Sequence, residues 1–374
     1  MDIKDKVNLI TQKKHIILMK ETLYKSFSFC NREVELAIDQ IYGMTQCRKT
    51  SSTALSPYVR GEIAPDSKNR AIERFRQNGT LQTEEYLEVL HKLFERGLKR
   101  EEKRMKKKSK RIQKVVLSFD RTNWEYGETS INAFVAFASG ENISAMIALK
   151  MLDNKGGNSN SDDRINLAKE VVQRYGKERI QMMLGDREFF SVRFATWLVM
   201  QDVRFVIRVR ENLDFLQEYL KHKIKKEGRI FRDVLIGEYD GYKLRCDLSI
   251  KRLADEWLIV VSHKVKNPLQ AYRKRWGIES FFRMLKTGGF NIEDTKITSP
   301  KRLCILFLMC AIAHIMCVAI GIYWHENIKP VRWKPKDECY EFSFFRYGID
   351  RLRALIITDP DSVCTLIARV FAHV

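Results

Sequence analysis

The chain has 374 residues, enough for one large core or two to three modest domains, and its 45% hydrophobic content excludes an intrinsically disordered protein. The eight cysteines form no Cys-x-x-Cys pair, so the sequence indicates neither a zinc ribbon nor a disulfide framework. The excess of 67 Lys and Arg over 47 Asp and Glu gives a net charge of +20, which makes nucleic acid the first candidate partner, ahead of a membrane surface.

Residues 1–112 are predicted to be helical, because apolar residues recur at helical spacing in Glu33–Tyr42 and Thr83–Leu98. The first ten residues contain no apolar core of signal-peptide type, so a reducing cytoplasm is the expected compartment. Ser67–Arg76 can present four cations along a short helix, which suits phosphate contact or a solvated helix face. The run Arg96–Lys114, with eleven Lys or Arg against two Glu, is predicted to be a solvated linker or a strip along DNA.

An α/β pattern begins after Lys114, where short apolar runs typical of buried strands alternate with helical segments. The Gly- and Asn-rich segment Lys155–Ser161 is predicted to be a loop. Strands are predicted at Val115–Asp120, Ile131–Ser139, Ile143–Leu152, Ile180–Asp186 and Arg204–Arg210, and helices at Asp162–Tyr175 and Ser191–Gln201. This order favours a mixed sheet with flanking helices.

The pattern is interrupted at residues 211–256 by polar, β-prone pieces such as Tyr242–Ile250, which we interpret as an inserted β-rich subdomain. Trp257–Ser262 is again strand-like, and a long helix is predicted from about Leu269 to Thr287. Leu303–Tyr323 is uncharged apart from His314 and long enough to span a bilayer, but a helix buried inside an α/β domain has the same composition. We expect His314 to be a core residue.

Three carboxylates are candidates for metal-dependent chemistry. Asp120 and Asp186 each end a predicted strand, which can bring them to one edge of a sheet, where hard divalent cations take oxygen ligands. An Asp at a strand end can equally be a turn or helix cap. Glu279 lies on the predicted long helix with Tyr272, Arg275 and Lys286 at steps of 3, 4 and 7, inside an arc of roughly 60°. An intrahelical ion-pair ladder would have the same spacing.

The helix stripe matches the Tyr-(2)-Arg-(3)-Glu-(6)-Lys signature of the insertion-sequence-four family of DDE transposases, and the surrounding AYRKRWGIESFFRMLK closely resembles that family. Phe119–Trp124 resembles the motif around the family's first Asp, and Gly185–Phe189 the motif around its second. The resemblance covers about residues 110–325 well and the two ends only loosely.

The resemblance implies an α/β fold with a ribonuclease-H-like mixed sheet, a β-rich insertion and an N-terminal helical DNA-binding domain. It implies that Asp120, Asp186 and Glu279 bind two Mg²⁺ ions, which Mn²⁺ can replace. The implied domains are DNA-end binding with a basic linker (1–112), catalytic core (113–210 and 257–325), β-rich insertion (211–256) and a C-terminal helical region (326–374).

The resemblance also implies the reaction and its partners. Family members nick the transposon end, form a hairpin on it with the freed 3′-OH, reopen the hairpin and join the end to target DNA. The partners are therefore double-stranded DNA ends and target, with a homodimer in the synaptic complex, no membrane and a bacterial, nucleoid-associated location. A nuclease of the same fold without strand transfer, or a repurposed DNA-binding protein without catalysis, are the alternatives.

The resemblance also implies which residues contact DNA. Tyr272, Arg275 and Lys286 would hold the DNA backbone near the terminal phosphate, and Trp257 would stack on a flipped base or, alternatively, be a core aromatic. Arg121 is predicted to contact DNA or the carboxylates, with a structural ion pair as the alternative. Glu188 is predicted to support the fold rather than bind metal.

Overall fold

The computed structural model describes residues 31–106, 113–126, 128–152, 159–295 and 297–359, with isolated positions at 21, 23, 26, 27, 362, 363, 366, 369 and 370. Residues 107–112 of the predicted basic run and 155–158 of the predicted loop lie outside the described residues. The chain divides into two compact units. The helical unit contains residues 1–110, 141–145 and 283–374, and the sheet unit contains residues 111–140 and 146–282.

The elements between residues 115 and 210 follow one another in the predicted order, whereas two short strands lie in the C-terminal region that was predicted to be helical. The first helices are α1 (Arg32–Cys47), α2 (Ser52–Leu55), α3 (Pro65–Asn78) and α4 (Thr83–Lys106). The central elements are β1 (Val115–Tyr126), β2 (Thr129–Ser139), β3 (Ser144–Met151), α5 (Ser161–Tyr175), β4 (Ile180–Gly185), α6 (Val192–Met200), β5 (Phe205–Arg208), α7 (Gln217–Leu220), β6 (Arg229–Tyr239), β7 (Tyr242–Arg252) and β8 (Trp257–His263). The last are α8 (Pro268–Tyr272), α9 (Trp276–Arg283), α10 (Pro300–Asn327), β9 (Trp333–Lys334), β10 (Cys339–Tyr340) and α11 (Phe344–Thr358).

The helical unit is built around α10, which is apolar on all sides and contacts α1, α4 and α11. Among the described residues it is the one helix long and apolar enough, by length and composition, to cross a membrane. In the structure 89% of its most apolar stretch is buried inside the protein. α10 and α11 approach most closely at Gly321 and Gly348, where a Cβ on either would lie about 2 Å from a backbone oxygen of the other helix. The burial is that of a core helix.

The sheet unit carries an eight-stranded sheet with the order β3-β2-β1-β4-β5-β8-β7-β6. β1 pairs antiparallel with β2 and parallel with β4, and β4 pairs parallel with β5. The order 3-2-1-4-5 with these directions is the ribonuclease-H-like arrangement, and α5 and α6 occupy the crossovers beside it. The expected fold class, a mixed sheet with flanking helices, is confirmed.

The β-rich segment 211–256 adds strands to this same sheet. β6 and β7 form an antiparallel hairpin, β7 pairs with β8, and β8 pairs with β5. The segment is therefore β-rich as predicted, but its hairpin continues the central sheet instead of forming a sheet of its own. The edge of β8 that faces away from β5 explains this, because its backbone hydrogen-bonding groups need a neighbouring strand and β7 supplies it.

The compact units of the structure differ from the predicted domains in where residues 283–325 belong. Residues 283–325, predicted to belong to the catalytic core, lie in the helical unit together with the N-terminal helices and α11. α10 requires this grouping, because a helix that is apolar all round has to be covered by other helices.

Candidate active site

The first two carboxylates meet where the parallel pairing of β1 and β4 ends. The last paired residues are Phe119 and Gly185, and Asp120 and Asp186 follow them directly. Because side chains alternate along a strand, Asp120 lies on the same face as Val116, and Asp186 follows Met182 and Leu184 on that face. The placement of Asp186 after its strand matches the prediction. Asp120, however, is not at a strand end, because β1 continues to Tyr126 in pairing with β2.

The third carboxylate comes from a helical stretch of changing winding that packs on this face. α8 begins with Pro268 and buries Ala271 and Tyr272 against the apolar residues of β1, β4 and β5. A 3₁₀ turn at Arg273–Arg275 follows, then α9, and then a π-helical turn at Met284–Gly288. The predicted helix is therefore present over residues 268–288, with local changes of winding, and it turns Tyr272, Arg275 and Glu279 toward the carboxylates.

Arg275 is the central contact of the site. Its Nη1 donates to Asp120 Oδ2 at 2.7 Å, and its Nη2 donates to Glu279 Oε1. The hydroxyl of Tyr272 donates to Asp186 Oδ1 at 3.1 Å, and the Arg275 guanidinium lies 5.6 Å from the Tyr272 ring centre. The structure thereby brings five of the predicted site residues together in one charged cluster.

Burial and charge act on this cluster in opposite directions. Burial raises the pKa of Asp120 to about 6, although the Arg275 guanidinium and the backbone N–H of Arg121 both favour the ionised form. The neighbouring Asp186 carboxylate adds to the upward shift. Burial also raises the pKa of the Tyr272 phenol well above its usual value, so this hydroxyl is a neutral hydrogen-bond donor at physiological pH. A carboxylate with a raised pKa beside a second one is typical of a functional site.

The cluster contains carboxylate oxygens of the kind that bind a cation. In the structure, two of the three carboxylates are paired with the Arg275 guanidinium. No group of three or more His, Cys, Asp or Glu side chains in the described part of the chain is placed to hold one metal ion. The reason is local, because the guanidinium binds Asp120 and Glu279 in the place of a positive ion. Three carboxylates beside one cationic group nevertheless form the donor set that Mg²⁺ and Mn²⁺ take.

Lys286 follows α9 in the chain and belongs to the helical unit. It lies in the π-helical turn, whose wider winding changes the angular step after Arg283, and its Nζ pairs with Glu293 at 2.8 Å in the helical unit. A role in DNA binding therefore stays a prediction for this residue.

Arg121 makes the ion pair that was the alternative prediction, and its contact with DNA stays a prediction. It points to the opposite face of β1 from Asp120, because neighbouring strand residues alternate. Its Nε donates to Glu188 Oε1 at 3.1 Å and its Nη1 to Asn132 Oδ1 at 3.0 Å. Glu188 lies in the 3₁₀ turn after β4, so it supports the fold as expected.

Trp257 begins β8 and is half-buried, with the Arg252 guanidinium 4.7 Å from its ring centre. Its backbone N–H donates to Glu211 Oε1 at 3.2 Å, and its carbonyl accepts from Arg208 at 3.4 Å. The ring keeps an accessible part, and its role as a stacking surface remains a prediction.

Two residues beside the site were not singled out from the sequence. Arg208 ends β5, next to the register pair Gly185–Ile207, so its place on the sheet edge corresponds to that of Asp186. It pairs with Glu256 at 2.6 Å. The sequence contains the pattern that identifies Arg208, because this arginine lies at the end of a predicted strand, as the two aspartates do. Trp276, next to Arg275, is 58% exposed and lies outside the polar stripe that the helical spacing displays.

Comparison with known proteins identifies the family of the chain. A family model described as Transposase DDE domain matches residues 111–316, more than half of the chain. Comparison with curated proteins gives no match. Among solved structures, the chain is similar to the piggyBac transposase synaptic complex with hairpin DNA, with 13% identity, a TM-score of 0.47, and coverage of 97% of this chain and 85% of that one. The family match over residues 111–316 contains all three carboxylates, and the chain belongs to the DDE transposase family.

Proposed function

We propose that this protein is a cut-and-paste transposase of the insertion-sequence-four type. It nicks the end of a transposon, forms a hairpin on that end, reopens the hairpin and joins the 3′-OH to target DNA. The observation that supports the proposal best is the convergence of Asp120 and Glu279 on Arg275, beside Asp186 held by Tyr272.

The proposed cofactor is a pair of divalent ions, Mg²⁺ or in its place Mn²⁺, held by Asp120, Asp186 and Glu279. When bound, such a pair activates an attacking oxygen and stabilises a leaving oxygen in phosphoryl transfer. The donor set fits this requirement, because all three side chains are carboxylates and Asp120 and Glu279 already share one positive group.

The protein's own side chains have separate tasks in this proposal. Arg275 neutralises the carboxylates while DNA is absent and can turn to a backbone phosphate, which its planar fork binds with two hydrogen bonds. Tyr272 orients Asp186 through its neutral hydroxyl. Trp257 stacks on a base that leaves the helix, and Lys286 holds the adjoining backbone. The partners are transposon-end and target duplexes, bound by a homodimer in the cytoplasm.

The test is cleavage of a duplex that carries the inverted repeats flanking the gene. Asp120→Ala, Asp186→Ala and Glu279→Ala should each abolish Mg²⁺-dependent cleavage and preserve end binding, because the loss of one ligand disrupts the geometry that both ions need. Asp202→Ala, which removes an exposed acid outside the site, is the matched control. Cleavage near the wild-type rate in any of the three variants would remove that residue from the site.

A pre-cleaved end with a free 3′-OH separates the alternatives. A transposase joins this end to a target duplex, whereas a nuclease of the same fold gives hydrolysis products alone. A repurposed DNA-binding protein binds the end without cutting it.

A further inference from the structure

The helix α3 has one face that no other described residue covers. Ser67, Arg70, Arg74 and Gln77 are exposed, and they lie within about 80° of one another at 100° per residue. Neither arginine has an ion pair or side-chain hydrogen bond within the described part of the chain. The sequence suggested four cations along this helix, but Lys68 is half-buried and Arg76 is buried, so the face carries two.

The opposite face of α3 is fixed to the helical unit by apolar and polar contacts. Ile72 and Phe75 are buried, and the Arg76 guanidinium donates to Gln40 Oε1 at 3.1 Å and to the Thr50 carbonyl at 2.8 Å. Glu73 pairs with Arg302 of α10 at 2.7 Å. A helix held in this way presents its free face with little loss of order on binding, as a recognition surface requires.

The side chains on the free face are those that read base edges. Arginine binds guanine with two hydrogen bonds, glutamine binds adenine in the same way, and serine accepts or donates to either. Ser67 to Gln77 spans about 15 Å of helix, the length of about four base pairs at 3.4 Å each. The small Ala71 lies about 40° beyond Ser67 at the border of this face, where it allows the helix backbone to come close to the floor of a groove.

We infer that α3 is the recognition helix of this protein and inserts the Ser67, Arg70, Arg74 and Gln77 face into the major groove of double-stranded DNA at the transposon end. The inference rests on the proposed function for the identity of that DNA. The charge of the face favours DNA over a protein partner, because both of its arginines are unpaired among the described residues and the protein carries a net charge of +20.

The experiment is selection of binding sites by the full-length protein from duplexes with a randomised core, at one fixed salt concentration. The wild type should select a motif, and Arg70→Ala and Arg74→Ala should each lose preference at one or two base pairs, by about ten- to a hundredfold. Arg74→Gln should replace a preferred guanine by adenine at one position. Arg204→Ala, an exposed arginine of the sheet unit, removes the same charge and should leave the motif unchanged.

A change of specificity cannot come from unfolding, so Arg74→Gln keeps the inference testable even if an alanine variant is unstable. An unchanged motif in all α3 variants would overturn the inference, as would an equal loss of affinity for every duplex, which indicates phosphate contacts alone. A wild-type protein with no affinity for duplex DNA would instead overturn the proposed function.

Discussion

Arg275 decides the electrostatic state of the candidate site. Its guanidinium donates to carboxylates from β1 and α9, and its side chain is only 10% exposed. Two carboxylates this close repel each other unless a cation lies between them. Under the proposed function, Arg275 would therefore compete with a metal ion for the same oxygens until a DNA phosphate offers it another partner.

This competition leads to a measurable prediction. Arg275→Gln should bind Mn²⁺ more tightly than the wild type in the absence of DNA, by about tenfold, because the internal cation is gone. Calorimetric titration of the DNA-free protein measures this, with Arg204→Gln as the control for loss of one charge. Equal or weaker Mn²⁺ binding would mean that the guanidinium arranges the carboxylates instead of competing for them.

Arg121 is next to Asp120 in β1 but points to the opposite face of the strand, where it forms an ion pair with Glu188. Arg121→Met should lower the free energy of unfolding by about 3 kcal/mol, because it leaves the Glu188 carboxylate without its charged partner. The double variant Arg121→Met/Glu188→Gln should recover part of this loss, as a double-mutant cycle in urea would measure. Unchanged stability together with weaker DNA binding would restore the predicted DNA contact.

Among the elements, β8 combines a place in the sheet with a proposed surface for DNA. Its inner residues Ile259–Val261 are buried, while Trp257 at its first position is half-exposed. The element therefore holds the ring rigidly at the end of a paired strand. This position suits stacking on a base that must leave the duplex for a hairpin to close.

Trp257→Ala should leave first-strand nicking nearly intact and slow hairpin closure by about ten- to a hundredfold, equivalent to about 1.4 to 2.7 kcal/mol. Tyr272→Phe should have a smaller effect, because it keeps the ring. A gel time course of nicked and hairpin products measures both steps, with Trp333→Ala as an exposed tryptophan control. Equal loss of both steps would make Trp257 a folding residue, and no loss would transfer the role to another aromatic such as Trp276.

The helix α10 contains a buried titratable group whose effect on stability can be given a sign. His314 stacks on Phe345 with ring centres 5.3 Å apart, and burial lowers the pKa of its imidazole to about 3. Between that value and 6.5 the unfolded chain binds a proton that the folded chain does not. Stability is therefore lost as the pH falls below 6.5.

From pH 6.5 to pH 5 this group should remove about 2 kcal/mol of unfolding free energy. His314→Gln should flatten that part of the pH dependence, because glutamine does not titrate, while the exposed His222→Gln should not. Urea unfolding at several pH values measures the difference. The same slope in His314→Gln and the wild type would show that another group causes the loss.

At the scale of the whole molecule, the two ends of the chain depend on each other. Helices from residues 32–106 and from residues 300–358 belong to one compact unit, and α10 is covered by both sets. A fragment of residues 113–374 should therefore aggregate, because it exposes the apolar surface of α10 that α1 and α4 cover. Size-exclusion chromatography measures this, and co-expression of residues 1–112 should restore solubility. A monomeric fragment with cooperative unfolding would contradict the arrangement.

Much of the site was determined by the sequence itself. Short apolar runs that end near Asp120 and Asp186, and the spacing of Tyr272, Arg275 and Glu279, depend on local periodicity, which a sequence displays directly. The same is true of the mixed α/β order. The face of β1 to which Arg121 points was also readable, because the alternation that turns Asp120 one way turns its neighbour the other.

Other features were decided only by tertiary structure. The β6–β7 hairpin joins the central sheet because its neighbour β8 pairs with the distant strand β5, and the pairing of Arg275 with Asp120 joins residues 155 positions apart. The winding of Met284–Gly288 and the covering of α10 likewise depend on packing partners. A sequence shows which side chains are stable only when buried or paired with an opposite charge. Long-range contacts decide which surface buries them and which counter-ion pairs with them.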